Sequence, residues 1–352
     1  MKQSGIQTNS DAKSKVLKED DKMEQEMEPQ EEIRVEIKKV SSVKDLPGIG
    51  PATIEKLAVS GFNDLMSIAV ATPGELVGAT EMSEATAKKV IAIARANIEM
   101  EFSSGEELLA KRQRILKIST GSVELDKLMG GGFETGAVTE AYGQYGSGKS
   151  QIAHVLAVRC QLPKEKGGCG GMAVFIDSEG TFRPERVVQI AQGLGVDADE
   201  ALRNIKVARA FNSDHQMLLA EKIDDLIKKQ GLNVKLVIVD SLTSHFRAEF
   251  VGRGTLADRQ QKINKHMHVL SRLADMHNVV VYVTNQVMAR PDVFFGDPTE
   301  AIGGHIVAHN STYRLYLRRG KKGSRVAKMV DSPNMPEAEA IFRVEESGIK
   351  DV

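Results

Sequence analysis

From residue 115 onward the apolar residues of this chain come in short unbroken runs, separated by longer stretches with helical spacing. Ala137–Ala141, interrupted by Thr139 and Glu140, is followed by a glycine-rich turn. Three further runs read MAVFID (Met172–Asp177), KLVIVD (Lys235–Asp240) and VVVYVT (Val279–Thr284). Unbroken runs of this kind suit parallel strands covered on both faces, whereas half-exposed strands alternate. Between them, His215–Lys229 and Lys262–His277 carry the 3.6-residue spacing of helices. The pattern predicts an α/β core with a mostly parallel central sheet over residues 112–352.

Upstream the period is helical. Val43, Ile54, Leu57 and Ala58 flank LPGIG (Leu46–Gly50), where proline and glycine enforce a tight turn and Pro51 suits the first turn of the next helix. Further helices are expected at Asn63–Val70 and Glu84–Ala96. Ser83 resembles a helix start, although the capping-box glutamate is not in place. Residues 41–96 thus read as a small all-α unit. Its turn is either a plain connector or a helix-hairpin-helix, in which the backbone around Gly48 and Gly50 holds a DNA phosphate without reading sequence. Residues 97–111 read as a linker, running through NIEMEFSSG into the helical Glu106–Gln113. There Phe102 is an aromatic among polar residues, fit to pack on its own domain or to anchor in another chain. Residues 1–40 form a charged tail too poor in apolar side chains to offset its ordering entropy, despite the alternation Ile33, Val35, Ile37.

At 352 residues the chain is long enough for two domains, and its 27% charged and 41% hydrophobic residues are ordinary for a globular protein. The net charge of −1 makes no whole-chain case for nucleic acid, so any such case rests on local patches. No apolar run reaches the length of a membrane span, and the N-terminus lacks an apolar core preceded by basic residues. The two cysteines, Cys160 and Cys169, suggest neither a metal site nor an oxidising compartment. A cytoplasmic protein with reduced thiols is expected.

The chemistry gathers on GQYGSGKS, residues Gly143, Gln144, Tyr145, Gly146, Ser147, Gly148, Lys149 and Ser150, which is the P-loop pattern. Its glycines bring backbone N–H groups against phosphate oxygens, Lys149 reaches the β- and γ-phosphates, and the Ser150 hydroxyl is placed for Mg²⁺. The helix expected from Gln151 to Ala157 points its positive end at the same anion. Asp240, at the end of KLVIVD, suits a Walker B aspartate holding the Mg²⁺ water shell. Past the MAVFID strand, Glu179 can orient an attacking water, and Asp177 competes for that role by position. Gln286 has the position of a γ-phosphate sensor. Arg247, Arg253 and Arg259 sit in a polar stretch where Gly252 and Gly254 argue for a loop, suited either to a nucleic-acid backbone or to a solvated surface. A second long connection, Val287–Gly304, holds Arg290, Phe294, Phe295 and the Gly303–Gly304 pair. His305 and His309 have the helical spacing of zinc ligands but lack the companion glutamate and a third ligand. Arg318, Arg319, Lys321 and Lys322 read as a basic hairpin tip between Gly320 and Gly323.

From about Val43 to its end the chain resembles the archaeal RadA recombinases, relatives of the eukaryotic recombinases and of bacterial RecA. The matching runs include LPGIGPAT, GSVELDKLMGGGFETG, the P-loop, FIDSEGTFRPER, ARAFNSDHQ, VGRG, NQV, AIGGHIVAH and DSPNMPEAEA, in the family's order. The resemblance implies a RecA-like core behind a helix-hairpin-helix domain. It also implies a DNA-dependent ATPase that polymerises as a filament or ring, binds single- and double-stranded DNA, and exchanges strands with the help of mediators at the nucleoid. ATP with Mg²⁺ would sit between protomers. Glu179 would take the water-activating role over Asp177, Arg186 would lie over the adenine, and Gln286 would link the γ-phosphate to the second DNA loop. Pro298 would cap ATP from the adjacent protomer. His305 and Asp331 match positions near the γ-phosphate where a monovalent cation such as K⁺ can sit. Arg247, Arg253, Arg259 and Arg290 would contact DNA, and Phe102 would be the polymerisation phenylalanine. Gly105 stands where that motif usually has alanine, which adds backbone freedom, and Ala301 stands where eukaryotic relatives often have proline. A hexameric RecA-fold motor and a non-exchanging paralogue that assists assembly are the competing readings.

Overall fold

The computed structural model describes residues 40–98, 103–289 and 299–352. The expectations placed on Phe102, Arg290, Phe294, Phe295, Pro298 and the tail up to residue 39 lie outside them. The chain divides into two compact units at Ser103/Ser104.

The first unit is helical: Pro51–Val59, Leu65–Val70, Pro73–Thr80 and Glu84–Asn97 surround a core in which Leu57, Ile68, Leu76, Ala87, Val90 and Ala94 are fully buried. The helix Pro73–Thr80 was not expected from the apolar spacing. Its signal is at its start: Thr72 and Glu75 form a capping box, with Pro73 in the first turn. Val40, assigned to the charged tail by composition, is buried here, and its N–H donates to Asn97 Oδ1 at 3.0 Å. At the LPGIG turn Gly48 has φ +84 and Gly50 caps the following helix without a side chain. Both glycines are exposed.

The second unit is built on a nine-stranded sheet. In spatial order its strands are Gly348–Asp351, Glu339–Glu345, Arg325–Asp331, Tyr313–Arg319, Ala137–Gly143, Val280–Asn285, Val234–Asp240, Met172–Asp177 and Ile205–Arg209. The six from Tyr313–Arg319 onward run parallel and the other three antiparallel. The unbroken apolar runs are explained by two cores, one on each face. Ala173, Phe175, Leu236, Ile238 and Tyr282 point into one, together with the helix Lys149–Arg159. Val174, Ile176, Val237, Val239 and Val283 point into the other, together with Ser213–Lys228 and Leu256–His277. The period of two is present throughout, but both faces are apolar.

Three regions differ from expectation. Ile205–Arg209 forms the edge strand although Lys206 and Arg209 interrupt its apolar character. The antiparallel strands beyond Tyr313–Arg319 are likewise interrupted by charged residues, so they form no continuous run. The basic hairpin tip is found as expected, between Tyr313–Arg319 and Arg325–Asp331. Finally, the long connection after Gln286 opens with Val287–Ala289 paired antiparallel to Thr299–Ala301.

Cys160 and Cys169 are free and buried. Burial pushes the Cys160 thiol well up and that of Cys169 to about 11, so both stay protonated and unreactive. No helix among the described residues is long and apolar enough to cross a membrane.

Candidate nucleotide site

A cavity of about 1110 Å³ opens at the carboxyl ends of the parallel strands. The P-loop strand Ala137–Gly143 lies between Val280–Asn285 and Tyr313–Arg319, where the order of strands reverses, and this is where ligands of open α/β sheets bind. The cavity is lined by the P-loop together with Glu179, Thr181, Arg186, Asp240 and Gln286.

The P-loop leads directly into the helix Lys149–Arg159, whose N-cap Gly148 offers no side chain to the first N–H groups. Those donors and the helix dipole are left for an anion. Ser147 Oγ is buried with no partner among the described residues, a further orphaned group in the loop. Lys149 Nζ donates to the carbonyls of Gly143 at 2.8 Å and Gln144 at 3.1 Å, which holds the ammonium within the loop. Burial lowers its pKa, against the opposing pull of Asp240 and Glu179. The donor set fits a nucleoside triphosphate. Two glycines have a second reason to be there. A Cβ on Gly143 would meet the Leu317 carbonyl oxygen at 2.0 Å, and one on Gly146 would meet Arg319 at 2.4 Å. The neighbouring strand's backbone thus excludes a side chain at Gly143, independently of any phosphate, whereas at Gly146 only the movable end of the exposed Arg319 is in the way and the φ of +74 is what favours glycine.

Asp240 ends its strand 3% exposed. Burial raises its pKa, offset by hydrogen bonds from Thr284 and Ser150. Thr181 Oγ1 also reaches its other oxygen, at 3.4 Å. The peptide that follows, Asp240–Ser241, is cis. Ser150 and Asp240 fit Mg²⁺, which takes few protein ligands and completes its shell with water and phosphate oxygens. Among the described residues no group of three or more His, Cys, Asp or Glu is assembled to hold a metal. His305 and His309 stack at 5.9 Å on the helix Gly304–Asn310.

The two carboxylates of DSEGTF are placed differently. Asp177 is buried; its Oδ1 accepts from the N–H groups of Glu179, Gly180 and Thr181, and its Oδ2 from that of Phe182. Hydrogen bonds to a charged group contribute about 1.5–3 kcal/mol each, so this carboxylate is committed to shaping the loop. Glu179 instead faces the cavity. Its Oε1 accepts from Gln286 Nε2 at 2.7 Å and from Ser241 Oγ at 2.8 Å. Among the described residues its Oε2 accepts no hydrogen bond.

Arg186 Nε donates to Gln151 Oε1 at 2.8 Å, and its two terminal nitrogens donate to the backbone carbonyls of Glu346 and Glu345 at 2.7 and 2.6 Å. The guanidinium is therefore fixed as a plane on the cavity wall. Tyr145, at the loop tip, is 93% exposed. His305 and Asp331 are exposed and neither lines the cavity.

Several contributors were not apparent from the sequence. Ser241 and Thr284 position carboxylates. His154 spans two segments, its Nδ1 2.7 Å from the Ser150 carbonyl and its Nε2 accepting from the Arg183 N–H at 3.1 Å. Burial lowers the His154 pKa, which keeps that acceptor available. None of these residues has a motif that would single it out.

The arginine stretch is more ordered than its glycines suggest. Arg247 is exposed on the helix Ser244–Glu249, and Arg253 opens a short 3₁₀ turn. Arg259 belongs to the long helix Leu256–His277 and is half-buried, its Nε shielded without a partner among the described residues. The break that the glycines predict is real, but it lies between two helices.

With this geometry in place, comparison with known proteins decides the kinship. The family model described as Rad51 matches residues 111–352. The chain belongs to the Rad51 family. A second family model, described as a SAM-like helix-hairpin-helix tandem, matches residues 40–96. The DNA repair and recombination protein RadA of Methanocorpusculum labreanum is 54% identical over 322 residues, covering 88% of this chain and 98% of that protein. As a Rad51-family member the chain is a DNA-dependent ATPase and strand-exchange recombinase with a RecA-like core, and it binds DNA and assembles into oligomers.

Proposed function

We propose that the cavity at Gly143–Ser150 is the ATPase site of this recombinase and that Glu179 orients the attacking water there. The observation carrying this reading is the contrast between Asp177, occupied by four backbone N–H groups, and Glu179, which faces the cavity with one oxygen held by Ser241 and Gln286. The P-loop N–H groups and Lys149 bind the β- and γ-phosphates. Gln144, Tyr145 and Gln151 border them, and the Arg186 plane lies against the base. Ser150 and Asp240 hold Mg²⁺, partly through water; when bound it neutralises charge on the phosphoryl oxygens. Phosphoryl transfer depends on positioning and charge stabilisation, so Glu179 need not be a strong base.

His305, Asp331 and Pro298 lie outside the cavity lining or the described residues, and they complete the site from an adjacent protomer, with K⁺ near His305 and Asp331. Assembly uses Phe102 and Gly105. The exposed sheet edge Ile205–Arg209, with Val207 44% and Phe211 74% exposed, supports an apolar docking surface for such a residue. Replacing Phe102 with glutamate is expected to weaken association by roughly 100-fold, since a carboxylate cannot lie unpaired in an apolar pocket. Light scattering should then show monomers, and unchanged oligomers would refute the anchor.

DNA phosphates are contacted by Arg247, Arg253, Arg259 and Arg290, and by the turn at Gly48 and Gly50. Recombination mediators load the protein, which works at the nucleoid. The reading is tested by the ATPase rate with and without single-stranded DNA, alongside filament imaging with ATP. Closed hexamers without filaments would instead indicate a motor. Substituting Arg247 and Arg253 together with alanine should lower the slope of log affinity against log salt by about 1.4 on single strands, two phosphates' worth. An unaltered slope would return both arginines to the solvated surface.

A further inference from the structure

A buried polar chain crosses the sheet beside the nucleotide cavity. Glu140, in the middle of the P-loop strand, is fully buried. Its Oε2 accepts from Arg314 Nε at 2.7 Å, and its Oε1 accepts from Asn285 Nδ2 at 2.7 Å. Asn285 Nδ2 also donates to the Ile302 carbonyl at 2.6 Å, while Asn285 Oδ1 accepts from the Thr243 hydroxyl at 2.7 Å. Thr243 is 1% exposed and Asn285 0%. Burying an ion pair and its companions is a poor source of stability, because packed apolar side chains of the same size do as well. What such a network supplies is a fixed geometry between segments distant in sequence.

The segments it joins are those that carry the proposed DNA contacts and the proposed catalytic carboxylate. The Ile302 N–H donates to the Gln286 carbonyl at 3.0 Å, closing the base of the connection that begins at Val287. The Thr243 carbonyl accepts from the Arg247 N–H at 3.0 Å, at the start of the helix bearing that arginine. Ser241, two residues before Thr243, and Gln286, next to Asn285, both donate to Glu179 Oε1. A closed ring results: Glu179 to Ser241, along the backbone to Thr243, across to Asn285, along to Gln286, and back to Glu179. The Thr243 hydroxyl is the side-chain link that closes it on the side away from Glu179.

We propose that Thr243 is a positioning residue that couples the two DNA-contacting segments to the Glu179 carboxylate, so that DNA engaged by either segment is sensed at the site of hydrolysis. The proposal rests on the reading that those segments contact DNA. Thr243→Val keeps the shape of the side chain and removes the donor, leaving Asn285 Oδ1 unpartnered. Basal ATPase and single-stranded DNA affinity should stay within about two-fold of wild type, while stimulation of the ATPase by saturating DNA falls about five-fold. Thr243→Ser retains the hydroxyl and should keep at least half of the stimulation.

Wild-type stimulation in Thr243→Val would overturn the proposal. So would equal loss in Thr243→Ser, which would trace the effect to packing of the methyl group. Should Thr243→Val lack a cooperative thermal transition, Thr243→Ala is judged by the same criteria. Failure of the parent reading looks different: the unmodified protein would show no DNA stimulation, or the Arg247 and Arg253 double variant would keep its salt slope. Either result would remove this proposal as well.

Discussion

Lys149→Ala is expected to reduce ATP turnover by about 100- to 1,000-fold, the typical loss when one preorganised donor is taken from a developing anion. The ammonium is held by the carbonyls of Gly143 and Gln144 at 2.8 and 3.1 Å, so it stands at the mouth of the loop with its rotamer already restricted. Burial, opposed by Asp240 and Glu179, makes it a cation partly stripped of water, and its attraction to phosphate is correspondingly strong. Alanine removes the charge but leaves Gly148 and the helix N-terminus in place. The expected protein is therefore folded, with weakened nucleotide binding and very slow hydrolysis. Steady-state phosphate release checks this, and turnover within ten-fold of wild type would refute the phosphate-reaching role of Lys149.

Glu179→Gln separates binding from chemistry. The amide oxygen can still accept from Ser241 and Gln286, so the surroundings of the side chain are kept. What disappears is the acceptor able to take a proton from water. Hydrolysis should fall by about 100- to 10,000-fold, with the KM for ATP changed by less than roughly three-fold, because the ground-state contacts are elsewhere. A KM that rises while kcat holds would place Glu179 in nucleotide binding instead. Asp177→Asn is the informative contrast. It weakens the acceptor of four backbone N–H groups and should disturb the whole DSEGTF loop, seen as a lowered thermal midpoint.

Much of the fold was legible because its central strands are covered on both faces and so are written as unbroken apolar runs. Met172–Asp177 matches the expected run, while Lys235–Asp240 and Val279–Thr284 differ from the observed strands by one residue at their ends. Pro73–Thr80 was missed because its signal is a capping box, Thr72 with Glu75, rather than a periodic stripe. The strands Arg325–Asp331 and Glu339–Glu345 were missed because charges interrupt both, Lys328 in the first and Arg343 in the second, and a seven-residue pattern broken in this way carries little signal. The arginine stretch misled in one respect. Gly252 and Gly254 mark a break between two helices, and only the fold shows that Arg259 falls on the half-buried side of that break.

The sequence by itself determined the chemistry on offer: a phosphate loop, a strand-end aspartate, two nearby carboxylates, and a family order that ties them to DNA. These are local properties, carried by residue type and by spacings of a few positions. Tertiary structure decided how they are used. Asp177 and Glu179 are carboxylates two positions apart, distinguished by where their hydrogen bonds go. Gly143 is demanded by the Leu317 carbonyl of the neighbouring strand as well as by phosphate. The ring that joins Thr243, Asn285 and Glu179 closes through contacts between residues 42 and 107 positions apart. Such contacts arise only when strands separated in sequence lie side by side, and no local pattern encodes them.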